Sequence, residues 1–173
     1  MLAGCGSTPH SAAPSAATES AALSNSPAPL KALHVQANRL IAGGPPAFKT
    51  LMATVRGYPL VVNKWASWCG PCQSEFPAFQ RAAVELGREV AFVGVDGKDA
   101  DTAARAFLKR FPVSYPSYAD PHERIAALLE ATTYYPETVY VDRRGAIVYE
   151  HVGPYESASA LERDIRRYVL GAG

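Results

Sequence analysis

Apolar positions in this chain recur at two spacings that alternate along its length. In residues 46–56 (PAFKTLMATVR), Phe48, Leu51, Met52 and Val55 fall three or four apart, the period of a helix face, and Gly57 ends the run. PLVVNKWA, residues 59–66, is a nearly unbroken apolar stretch, as a strand covered on both faces requires. Helical spacing returns over 70–86 with Phe76, Phe79, Ala83 and Leu86, and EVAFVGVD (89–96) reads as a second buried strand. A helix is predicted over 99–110, opening at an acidic cap with Phe107 and Leu108 inward. PSYAD (116–120) is a short strand, and 121–130 a helix carrying Ile125, Leu128 and Leu129. ETVYVD (137–142) and AIVYEHV (146–152) are strands about a hairpin turn at Arg143, Arg144 and Gly145. Leu161, Ile165, Tyr168 and Val169 stripe a last helix over 156–169, and HVQANRLI (34–41) predicts a short first strand. The order β-α-β-α-β-α-β-α-β-β-α gives an α/β fold. Its central sheet is mostly parallel with helices on both faces, and the final hairpin adds an antiparallel strand at one side.

Composition changes the picture at the N-terminus. Of the 24 residues from 6 to 29, 19 are Ala, Ser, Pro or Thr, and Leu23 is the only large apolar one, so the segment reads as a disordered tether. The folded domain is then expected over 30–173, with 1–29 as its leash. Ahead of the tether, LAGC (Leu2 to Cys5) resembles a bacterial lipobox, which implies lipidation at Cys5 and a leader upstream of Met1. No run of 18 apolar residues is present. Lys plus Arg number 17 against 16 for Asp plus Glu, without a basic patch, so nothing in the charge points to nucleic acid.

The chemistry concentrates in NKWASWCGPCQSEFP, residues 63–77, which holds two of the three cysteines. Cys69 follows a strand and begins a helix, where unpaired backbone N–H groups and the helix dipole favour thiolate. Cys72 lies one turn further on, within reach of a disulfide across the first turn. Gly70 suits the tight backbone, and Pro71 is tolerated where no N–H is needed. Cys69 is then the attacking thiol and Cys72 the resolving one. Two other readings stay open on the residues alone. A metal site needs two more ligands, and His10, His34, His122 and His151 show no metal spacing, so no metal is assigned. A structural staple closes too small a loop to stabilise much.

WASWCGPCQSEFP resembles the active site of the thioredoxin family, and residues 34–169 follow that family's order of elements. The likeness rests on Trp68 before the motif, the Gly-Pro dipeptide and Pro77 inside the following helix. YYPETVYVD (134–142) resembles the family's cis-proline loop, which implies that Tyr135, Pro136, Trp68, Gly70 and Pro71 meet the substrate. An extra strand and helix near 113–130 resemble the central αβ insertion of the TlpA/ResA/DsbE type of membrane-anchored thiol–disulfide oxidoreductases. Glu75 matches that branch's acidic residue. Plain thioredoxins keep an Asp where this chain has Asn63, so Glu75 is the better candidate to deprotonate Cys72; the alternative is a solvated helix residue. Lys64 is unusual in an apolar strand and is expected at its exposed end. Trp65 is expected in the core, while Tyr115, Tyr118 and Tyr134 suit either a groove or the sheet.

The resemblance implies an extracytoplasmic, lipid-anchored reductase of protein disulfides without a cofactor, supplied with electrons by a membrane thiol carrier of the DsbD/CcdA type. A narrower expectation is a dedicated reductant of apocytochrome c in cytochrome c maturation. One from another class is a thioredoxin-like binding module without turnover, which has no use for an activated thiol pair.

Overall fold

The structure, a computed structural model, describes residues 16–171. LVVNKW becomes strand β2 (Leu60–Trp65), buried at all six positions. Its neighbours β3 (Ala91–Gly97) and β5 (Glu137–Val141) are equally buried, so apolar residues of either parity find a covered face. With β1 (Leu40–Ile41), β4 (Ser117–Asp120) and β6 (Ile147–Val152) they form one sheet in the order β1-β4-β3-β2-β5-β6. The first four of these strands run parallel, β5 is antiparallel to β2, and β6 is antiparallel to β5. The hairpin of β5 and β6 therefore completes a mixed sheet, as the periodicity implies.

Helices α3 (Gly44–Thr54), α4 (Gly70–Leu86), α5 (Asp101–Arg110), α6 (Arg124–Leu128) and α7 (Ala158–Ile165) cover the sheet, and a π turn follows at Arg166–Leu170. Val61 and Trp65 join Phe76, Phe79, Phe107 and Leu161 in one core, while Leu60 and Val62 join Phe48, Leu51 and Ile125 in the other. Trp65 is a core residue, as expected: its Nε1–H donates to Ser117 Oγ at 3.1 Å. Gly94 leaves room for that bond, since a Cβ there would stand 2.7 Å from the indole nitrogen.

Three expectations need correction. Part of the presumed tether is helical: α1 (Ala16–Leu23) and α2 (Ala28–His34) pack on the domain. Leu23, Leu30 and Leu33 are buried, and Glu19 accepts a hydrogen bond from Gln80 of α4 at 3.1 Å, so a few apolar side chains hold a segment whose bulk composition is that of a coil. Residues 6–15 and Cys5 lie outside the described residues. Second, HVQANRLI is mostly not a strand. His34 closes α2 with its ring nitrogens 3.0 Å from the Gly87 carbonyl oxygen and 3.4 Å from that of Ser114. Asn38 turns the chain at φ 60°, leaving Leu40 and Ile41 to pair with β4. Third, the helix expected over 121–130 shrinks to 124–128. The Asp120 carboxylate takes the N–H groups of Arg124, Ile125 and Ala126 at 2.8, 2.9 and 2.8 Å, which starts the helix there.

Candidate active site at the start of α4

α4 begins at Gly70 and Pro71, both exposed, with Cys69 as its N-cap. Cys69 and Cys72 are joined by a disulfide with Cα atoms 5.3 Å apart, and Cys69 Sγ accepts the Cys72 N–H at 3.2 Å. Cys72 is fully buried and Cys69 is 4% exposed beside the exposed Trp68, Gly70 and Pro71, so an incoming sulfur approaches from the Cys69 side. The Tyr135–Pro136 bond is cis, Pro136 is buried, and its carbonyl accepts the Gly153 N–H at 3.0 Å. Trp68 packs its ring 4.9 Å from that of Tyr135, which brings the Cys69 loop and the Pro136 loop together.

Asp99 does not cap the helix that follows it. One carboxylate oxygen accepts the N–H of Ala100 at 2.8 Å and the other that of Ser67 at 2.6 Å, so it braces the loop leading to Cys69.

Glu75 sits one turn beyond Cys72 on the same helix face and is wholly buried, which rules out the solvated alternative. One of its oxygens accepts the Tyr155 N–H at 3.2 Å, and the other makes no well-formed hydrogen bond among the described residues. Burial pushes the carboxyl up to about 8, against the weaker pull of the Tyr155 N–H and the Asn63 amide. Asn63 and Tyr115 lie in the same pocket, fully enclosed, and among the described residues none of their side-chain polar atoms makes a well-formed hydrogen bond. Burial, and then the charge of Glu75, pushes the Tyr115 phenol well above its usual range. The site thus pairs a disulfide at a helix N-terminus with a buried acid that holds a proton at neutral pH.

The family model for Redoxin matches residues 24–165. The chain belongs to the Redoxin family. It is 39% identical over 95 residues to the thiol:disulfide interchange protein DsbE homolog of Paracoccus denitrificans, covering 54% of this chain and 50% of that protein. The chain thus spans about half the length of that relative. The solved structure of MTB dsbF in its mixed oxidized and reduced forms is 31% identical, with a TM-score of 0.60, over 66% of this chain and 83% of that one. A thiol:disulfide interchange protein, described as a thioredoxin family protein, from Chlorobium tepidum TLS is 26% identical with a TM-score of 0.60, over 67% of this chain and 83% of that one. The α/β architecture is the thioredoxin fold.

Within this Redoxin domain the sequence leaves several neighbours of the site unassigned. Asp96, at the end of β3, is 2% exposed, and burial followed by the charge of Asp99 pushes its carboxyl up to about 8. Lys64 is not at an exposed strand end: it is 1% exposed, facing Glu123 and Tyr135. Of the tyrosines considered for a groove, Tyr115 and Tyr118 are buried and Tyr134 is 54% exposed beside the Pro136 loop. An acidic residue at the end of a buried strand and a lysine within one were the available signals; their partners lie too far along the chain to be read.

Proposed function

We propose that the chain is an extracytoplasmic thiol–disulfide oxidoreductase that reduces protein disulfides through Cys69 and Cys72. The observation that carries the reading is the Cys69–Cys72 disulfide at the start of α4, flanked by cis Pro136 and backed by the buried Glu75. A donor dithiol attacks Cys69 Sγ, the intramolecular S–S bond breaks, and Cys72 leaves as thiolate, taking the proton that Glu75 holds at neutral pH. A second donor thiolate then attacks the sulfur bonded to Cys69, freeing Cys69 as thiolate and leaving the donor oxidised. In the forward half-reaction Cys69 thiolate attacks a substrate disulfide and expels one substrate sulfur, which takes a proton from solvent. Cys72 returns its proton to the Glu75 carboxylate and attacks Cys69 of the mixed disulfide, which releases the second substrate sulfur and regenerates the Cys69–Cys72 bond. The second substrate sulfur also takes its proton from solvent, so the balance closes: the donor dithiol gives two electrons to the substrate and two protons to solvent, and solvent returns two protons to the substrate sulfurs.

The finer parts of the reading rest on the resemblance of the sequence motifs: a membrane donor of the DsbD/CcdA type, a lipid anchor at Cys5, and apocytochrome c as a narrower substrate. No helix among the described residues is long and apolar enough to cross a membrane. The test is the reduction potential of the Cys69–Cys72 couple together with insulin reduction. A potential near that of thioredoxin, about −270 mV, with turnover lost in Cys69→Ser, supports the reductase. A potential near that of DsbA, about −120 mV, makes the chain an oxidant instead. A reversible couple without turnover returns the binding module.

A further inference from the structure

Lys64 is the one cation within β2, and its ammonium is buried on the face covered by α3 and α6. A buried ammonium persists only with compensation. Here it lies 3.2 Å from Glu123 Oε1 and 4.0 Å from the centre of the Tyr135 ring. Glu123 is the hub. The Tyr135 hydroxyl donates to its Oε1 at 2.7 Å, and Lys98 Nζ lies 2.7 Å from its Oε2. Lys98 in turn offers its carbonyl to the Trp68 indole N–H at 3.0 Å. Both contacts that orient Trp68, the Tyr135 ring and the Lys98 carbonyl, therefore lead back to one carboxylate. Glu123 itself sits at φ 53°, a left-handed conformation unusual for a glutamate, imposed where Asp120 starts α6. Gly97 completes the fit, since a Cβ there would collide with the Tyr135 hydroxyl. Burial alone would raise the Glu123 carboxyl, but the two lysine ammoniums and the Tyr135 hydroxyl outweigh it and hold the group below its usual range, so it is anionic at neutral pH.

We propose that Lys64 and Glu123 are positioning residues, a buried ionic clasp that seats Tyr135 against Trp68 and so sets the face that meets the substrate disulfide. The clasp gives the β4–α6 unit a task at the active site: it delivers Glu123 beneath the Pro136 loop. For its substrate the proposal rests on the oxidoreductase reading above; the clasp itself rests on the contacts alone.

The experiment compares the full chain with Lys64→Met and Glu123→Gln. Each variant removes one charge at near-constant volume, and the polar contacts of both residues run to Tyr135, Lys98 and each other. With insulin as substrate, KM rises roughly tenfold in either variant, the scale of one hydrogen bond to a charged group, while kcat and the potential of the Cys69–Cys72 couple hold. The double variant loses little more than Glu123→Gln alone, because that change already breaks the Lys64 contact. A KM that does not move overturns the proposal, as does a shifted potential, which would mean that the charges act on the thiols. A second readout is independent of turnover. The chain has two tryptophans, so its spectrum shows two indole N–H resonances. The Trp68 signal shifts and exchanges faster in the variants while that of Trp65, bonded to Ser117, stays. If the wild type fails to reduce insulin, the oxidoreductase reading fails and the indole signals still decide the clasp: an unmoved Trp68 resonance sinks it. Should one variant prove unfolded by thermal melt, the other carries both readouts.

Discussion

Glu75 presents two carboxylate oxygens to an enclosed pocket and finds one firm donor there, the Tyr155 N–H. That imbalance stores the proton proposed to travel to and from Cys72. Resolution of a mixed disulfide in wild type is expected to accelerate with pH up to a plateau beyond about 8, where the carboxylate is formed. In Glu75→Gln the inflection disappears and the step slows by roughly 10²-fold or more, measured as the decay of a mixed disulfide on Cys69 by stopped flow. Stability carries the same signature with its own sign. The carboxyl titrates at 4.5 when unperturbed and at about 8 in the fold, so the folded state binds the proton more tightly. Its contribution is then full below about 4.5 and is lost as pH rises through about 8. Asp96, raised from 3.8 to about 8, acts in the same direction. Urea midpoints should fall across that window in wild type and fall less steeply in Glu75→Gln; equal slopes would show that Glu75 does not titrate there.

Among the elements, α6 is the one most dependent on a single side chain. Asp120 replaces the backbone partners missing from its first turn, and Asp120→Ala is expected to cost about 2–3 kcal/mol in urea denaturation, a cap loss enlarged by three charge-assisted bonds. A loss below about 0.5 kcal/mol would mean that the turn holds without it. The elements that sequence patterns reveal are those whose determinants are local. Gly70, Pro71 and apolar spacing define α4 to the residue, and a run of apolar positions defines β2. HVQANRLI misleads because its deciding contacts, Gly87 and Ser114 on His34, arrive from 53 and 80 residues away. At the site, Cys69, Cys72 and the cis Pro136 loop are legible from their motifs, whereas the burial of Glu75 depends on Tyr155, again 80 residues distant. Lys64 stands out in the sequence as an anomaly, but Glu123, its explanation, belongs to the inserted unit.

At the scale of the molecule, two cores on opposite faces of a mixed sheet hold the site at the end of its central strands, and α1 extends that body beyond the thioredoxin order of elements. Leu23 carries much of the docking: Leu23→Ala should cost about 2–3 kcal/mol and expose α1 to proteolysis, and a variant with an unchanged urea midpoint would show that α1 adds nothing. The docking of α1 also changes a geometry that composition alone overstates. Between Cys5 and Ala16, 10 residues remain instead of a tether running to Leu30, and at full stretch the path from Cys5 to Ala16 spans at most about 40 Å. Were Cys5 fixed in a bilayer as proposed, Ala16 would stay within about 40 Å of that surface, and the disulfide within that reach plus the width of the domain. Substrates emerging from the membrane, or held against it, would meet the site far more often than those diffusing beyond its reach.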